Sequence, residues 1–262
     1  MDLKRTTADR VNLRSGPALD PDNILGTLPL GHAVEIVSGR KVQGFVEVLT
    51  SLNGLSTGGF VYASLLREAL PPRREAIIQE AVGQWIRFER GKGLETEEPY
   101  FRHVGEFWRA LGKDLDGRDT ESAWSAAFVS FAMRRAGLDR FKFAAAHSRY
   151  ILDAKRAREE QDTSAPFWLF RLEEHQPQLG DLVCAWRTHP RTFDDLPPSG
   201  FKSHCDIVVE IRRGQVRTIG GNVRDSVADK RFVRDRHGFV AQQATLFAIM
   251  RNNEGRPGHL EV

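Results

Sequence analysis

Cysteine is almost missing. Cys184 and Cys205 are the only two in 262 residues and form no CxxC pair, which excludes a disulfide framework and a zinc cluster and leaves a core-driven fold. No stretch approaches 18 apolar residues, so no helix is expected to enter a membrane. The opening MDLKRTTADR has positive residues but no apolar run behind them, and no secretory leader is read there. Also missing are GxGxxG after a strand, GxxxxGK[ST], GxSxG, HExxH, heptads, internal repeats and low-complexity tracts, while GRKVQGF has P-loop glycine spacing without its lysine. Neither nucleotide use nor the α/β-hydrolase fold is therefore expected, and neither is a metal or a cofactor. A large excess of one charge is lacking too: 38 Lys and Arg against 35 Asp and Glu give +3, which selects no polyanion and gives no reason to expect a nucleic-acid partner.

What is present divides near residue 70. From Ala8 to Leu66, short β-type runs alternate with Gly and Pro, as in Ala33 to Val37 and Phe45 to Val48, and helical periodicity is lacking. This predicts a small all-β barrel over residues 1–70. Leu70, Pro71, Pro72, Arg73 and Arg74 form a stiff polar junction, after which Ile77, Ile78, Ala81, Val82, Trp85 and Ile86 share a helix face. A second helix is expected over Val104 to Leu111. A third begins near Thr120, with Trp124, Ala127, Phe128, Phe131 and Ala132 on its buried face, Thr120 or Ser122 as its cap and Gly137 at its end. A charged helix follows from His147 to Glu160. Strand patterns then appear in GDLVCAW, HCDIVVEIRRG, QVRTIGGNV and QQATLFAIMRN, with a hairpin turn at Arg213 and Gly214. Residues 71–262 thus read as helices packed on an antiparallel sheet, and the fold class as α+β.

This layout places Ser125 in the first turn of a central helix, His204 at the start of one strand and Asn222 at the end of its neighbour. A nucleophile, a base and an orienting group in that order suit acyl transfer, and the helix N-terminus can hold an oxyanion. Asp206 lies two residues from His204 and shares its face, whereas Cys205 points to the other face and is expected in the core. His147, before the charged helix, is a further candidate for the cleft.

VNLRSGPALDPDNILGTLPLGHAVEIV, GFVEV and GGFVYASLL together resemble a bacterial SH3-like domain, with Phe45 where that family usually has Trp. Trp124 to Val129 (WSAAFV), Gly180 to Val183, His204 to Val209 and Gly220 to Val223 resemble papain-like amidases and peptidases of the NlpC and CHAP type. The match runs over residues 75 to 253, and is nearest a bacterial family of unknown function sharing WSAAF, GDLVC, HCDIV and IGGNV. The resemblance implies an SH3-like module and a papain-like domain acting on peptidoglycan or its peptide stems in the cell envelope. It gives Ser125 the nucleophile position, normally Cys, His204 that of the base and Asn222 that of the orienting residue. Trp124, Asp206 and His147 are the expected substrate contacts. Ser125 is open to three readings: a nucleophile, a retired site that still binds wall peptides or a protein, or a structural cap. An exported toxin-like effector with the same chemistry is a further alternative.

Overall fold

The computed structural model describes residues 2–243 and 245–256. The chain forms two compact units, Met1–Pro72 and Arg73–Val262. The class is α+β.

The first unit is one curled antiparallel sheet. Its strands are β1 (Leu3–Thr6), β2 (Val11–Arg14), β3 (Ile24–Leu28), β4 (Ala33–Val42), β5 (Phe45–Leu52), β6 (Leu55–Tyr62) and β7 (Leu66–Glu68), in the order β3-β2-β6-β5-β4-β1-β7. Gln43–Gly44 and Asn53–Gly54 make the two hairpin turns around β5, with φ of 51° and 85° in one and 51° and 80° in the other. Two successive left-handed residues match the right-handed strand twist, which is why Gly follows Gln or Asn there. Val11, Leu13, Leu28, Val34, Val46, Val48 and Val61 fill the concave side. Phe45 meets Tyr62 edge to face at 5.1 Å.

The second unit starts with α1 (Pro72–Arg87), α2 (Tyr100–Arg109), α3 (Ser125–Arg135) and α4 (His147–Glu159). The strands are β8 (Phe167–Phe170), β9 (Leu182–Trp186), β10 (Ser203–Arg212), β11 (Gln215–Gly220), β12 (Ala228–Val233) and β13 (Leu246–Asn252). They form an antiparallel sheet in the order β12-β11-β10-β9-β13-β8. α3 lies on β10 and β11, α4 on β8 and β10, and α2 on α3. Strands β8 and β12 escaped the sequence reading: FWLF is only four residues long, and ADKRFV is too polar to stand out as a strand.

The third helix begins five residues later than expected, at Ser125, and neither Thr120 nor Ser122 caps it. Trp124 occupies the cap position without a capping side-chain bond. Burial fixes it there instead: its ring stacks on Phe88 at 6.1 Å, packs against Phe107 at 5.7 Å, and its indole N–H donates to the Glu95 carboxylate. At the other end Gly137, with φ 75°, closes a Schellman motif in which Leu138 N–H bonds Met133 O and Gly137 N–H bonds Arg134 O.

The helix sits close to the sheet because β11 ends at Gly220 and Gly221 follows it. A Cβ at Gly221 would lie 2.5 Å from Phe128 Cβ and 2.7 Å from the Trp124 ring. Gly221→Ala should therefore destabilise the second unit by ~1–3 kcal/mol through overpacking. Thermal unfolding should show a melting temperature lower by about 2–4 °C per kcal/mol; an unchanged midpoint would contradict this packing.

Candidate active site

Ser125 is the first residue of α3, and its backbone N–H and that of Ala126 have no acceptor within the helix. Both residues line a cavity of about 430 Å³, together with His147, Arg187, Phe201, Lys202 and Asn222. His147 is the first residue of α4. Its Nε2 lies 2.7 Å from Ser125 Oγ, and its Nδ1 is hydrogen-bonded to the Tyr150 hydroxyl one turn further along the same helix. The i, i+3 spacing of α4 creates that second contact.

His204 makes no hydrogen bond to Ser125. It starts β10 with both ring nitrogens engaged: Arg187 donates to Nδ1 at 2.9 Å, so the proton is on Nε2, which donates to Asp206 Oδ1 at 2.7 Å. Asp206 Oδ2 accepts from Lys230 of β12 at 2.9 Å. The His147 and His204 rings lie 5.2 Å apart, so one site holds two histidines.

The expected base and orienter are thus rearranged. His147, not His204, contacts the serine, and Asp206, not Asn222, holds His204. Asn222 is one residue beyond Gly221, past the end of β11, and its φ of 52° takes the chain off the ladder. It lines the cavity beside Ser125 and, among the described residues, makes no hydrogen bond to His204. Gly220 explains how Asp206 takes the role, since a Cβ there would lie 1.8 Å from Asp206 Oδ1 and 3.1 Å from His204 Nε2. Trp124 is 2% exposed and belongs to the aromatic core, not to the cavity wall. Of the expected substrate contacts, only His147 lines the cavity; Asp206 is spent on His204 and Lys230.

Burial dominates the protonation states. It holds His147 well below the ordinary histidine range, with His204, Arg187 and Lys230 adding to the effect and Asp206 opposing it. His204 is also lowered by burial, against the pull of Asp206. For Asp206 burial acts upward, but His204 and Lys230 outweigh it and keep the carboxyl ionised, below its usual range. Burial pushes the Tyr150 phenol far up, so it stays neutral. Two neutral imidazoles and one carboxylate therefore stand beside a hydroxyl at a helix N-terminus, an arrangement able to perform base-assisted attack on a carbonyl. Cys205 takes no part: its sulfur lies 3.1 Å from that of Cys184, both are fully buried, and burial together with Cys184 raises its thiol well above the usual range. Among the described residues no cluster of three His, Cys, Asp or Glu side chains could hold a metal ion.

Tyr150, Lys230 and Arg187 were missed in the sequence. An H-x-x-Y pair opening a helix was the one signal available for Tyr150; Lys230 and Arg187 reach the site through strand pairing, which one sequence does not display.

Known proteins add the following. No curated protein matches the chain. A solved structure of NlpC2 from Trichomonas vaginalis is similar at a TM-score of 0.33 and 14% identity, covering 95% of this chain and 72% of that one, a likeness too low to argue from. Residues 83–254, well over half of the sequence, match DUF2272, described as an uncharacterized protein conserved in bacteria. The chain belongs to this DUF2272 family.

Proposed function

We propose that the second unit hydrolyses an amide bond in the peptide stems of peptidoglycan, with Ser125 as nucleophile and His147 as its general base. The 2.7 Å contact between Ser125 Oγ and His147 Nε2 on the cavity wall carries this reading. The substrate class rests on the sequence resemblance of WSAAFV, HCDIV and IGGNV to papain-like amidases and of the first unit to SH3-like modules. That first unit would bind the wall and place the protein in the cell envelope. Its groove of about 330 Å³, lined by Leu19, Phe45 and Tyr62 among others, would receive the ligand.

In the reacting tautomer His147 Nδ1–H donates to Tyr150, leaving Nε2 to accept the Ser125 proton as Oγ attacks the carbonyl carbon. The oxyanion forms at the open N–H groups of the first turn of α3. The His147 proton passes to the leaving amine as the C–N bond breaks. Water then cleaves the acyl ester, with the same imidazole as base. Asp206 stabilises the transient imidazolium, since its charge favours protonated His147.

Incubating the protein with purified peptidoglycan should release fragments whose masses identify the cut bond. Ser125→Ala and His147→Ala should each reduce the rate at least about 10³-fold. Asp206→Asn should reduce it about 10- to 100-fold through the lost counter-charge. His204→Ala abolishing turnover while His147→Ala retains it would move the base back to His204. Sedimentation with the wall but no release would identify a binding cleft in place of an enzyme.

The pH profile follows from the lowered His147 value. The neutral form is the base, so kcat/KM should be level from about pH 7 to 8 and fall only as acid protonates His147, well under the ordinary histidine value of about 6.5. An acidic limb centred at or above about 6.5 would exclude buried His147 as the base.

A further inference from the structure

Arg187 and Lys202 both line the Ser125 cavity. They extend the β9–β10 ladder by one residue beyond the Trp186 and Ser203 pair, and Arg187 N–H donates to Lys202 O at 3.0 Å. Like charges at opposite ladder positions repel. Elsewhere in this unit arginines meet carboxylates: Arg158 pairs with Glu174, Arg171 with Asp194 and Arg217 with Asp229. Among the described residues neither Arg187 nor Lys202 has such a partner, and no Asp or Glu lines the cavity. The Arg187 guanidinium instead donates to a neutral imidazole, His204 Nδ1. Two unneutralised cations are therefore held beside the nucleophile, one of them on a weaker acceptor than a carboxylate.

We infer that Arg187 and Lys202 form a subsite for a carboxylate of the substrate, so that the cleft selects peptides carrying a free carboxylate close to the scissile amide. This rests on the amide-hydrolase reading and adds to it the residues that choose the substrate. A carboxylate matches the planar guanidinium fork with two parallel hydrogen bonds, which an imidazole nitrogen cannot supply. Its arrival draws Arg187 from His204 Nδ1 and neutralises a charge that opposes protonation of His147. The anionic group thereby favours both binding and the proton transfer from Ser125.

The test uses the stem tetrapeptide L-Ala-γ-D-Glu-meso-diaminopimelate-D-Ala and its counterpart with every carboxylate converted to carboxamide. Binding to the full chain carrying Ser125→Ala, which prevents turnover, is measured by calorimetry. The free acid should bind about tenfold or more tightly than the amide, the scale of one charge-assisted contact. Arg187→Gln on that background should bring the ratio to within about twofold, Lys202→Gln should narrow it, and Arg187→Lys should restore part of it. Unchanged thermal melting of each variant separates these effects from misfolding. Equal affinity for acid and amide, a ratio that survives Arg187→Gln, or no binding of either peptide would overturn the inference. Carboxylate-dependent, Arg187-dependent binding by a protein that releases nothing from peptidoglycan would instead overturn the catalytic reading and leave the subsite standing.

Discussion

A single buried carboxylate organises the site. Asp206 is almost wholly removed from water, and an ionised group there is tolerated only with charged or donating partners on both oxygens. His204 supplies one and Lys230 the other, from its own strand and from β12. The room for this comes from Gly220, where any side chain would occupy the space of Oδ1. Breaking such a pair leaves an uncompensated buried charge, so the position of His204 follows from that of Asp206. The neutral state of His204 follows too, because Arg187 occupies its second nitrogen as a donor.

The other half of the site depends on packing. Trp124 is pinned by Phe88, Phe107 and Glu95, so α3 can begin only after it, and Ser125 becomes the first helical residue with open N–H groups around it. Gly221 lets that helix approach the end of β11, the strand whose preceding residue, Gly220, accommodates Asp206. Two adjacent glycines thus serve two needs, one electrostatic and one steric. The Ser125 hydroxyl and the buried charge are registered against each other through them.

Much of this was legible in the sequence. The helix faces of α1 and α3, the Gly137 stop, the antiparallel pairing of β10 with β11, and Ser125 near the N-terminus of the central helix all follow from periodicity and capping chemistry. The start of α3 was misplaced because Thr120 and Ser122 are good caps locally, while the decisive interaction, burial of the Trp124 ring, involves Phe88 and Phe107 from distant segments. His204 and Asn222 are neighbours in the strand pattern, but side-chain direction beyond the end of a ladder depends on a backbone dihedral that the pattern does not encode. His147 lies 22 residues from Ser125, and only the packing of α4 on β10 makes them partners.

A hydroxyl at position 125 is consistent with this electrostatic setting. A thiol nucleophile is favoured where a thiolate faces an imidazolium, an ion pair that needs a readily protonated histidine. Here His147 is buried, and His204, Arg187 and Lys230 all oppose its protonation. Such surroundings would disfavour the ion pair and give a thiol no preactivation. They do provide what a hydroxyl requires, a neutral acceptor already at hydrogen-bond distance, with Asp206 close enough to favour the imidazolium only when it forms. The residue at position 125 and the charge state of the histidine beside it are two parts of one electrostatic arrangement.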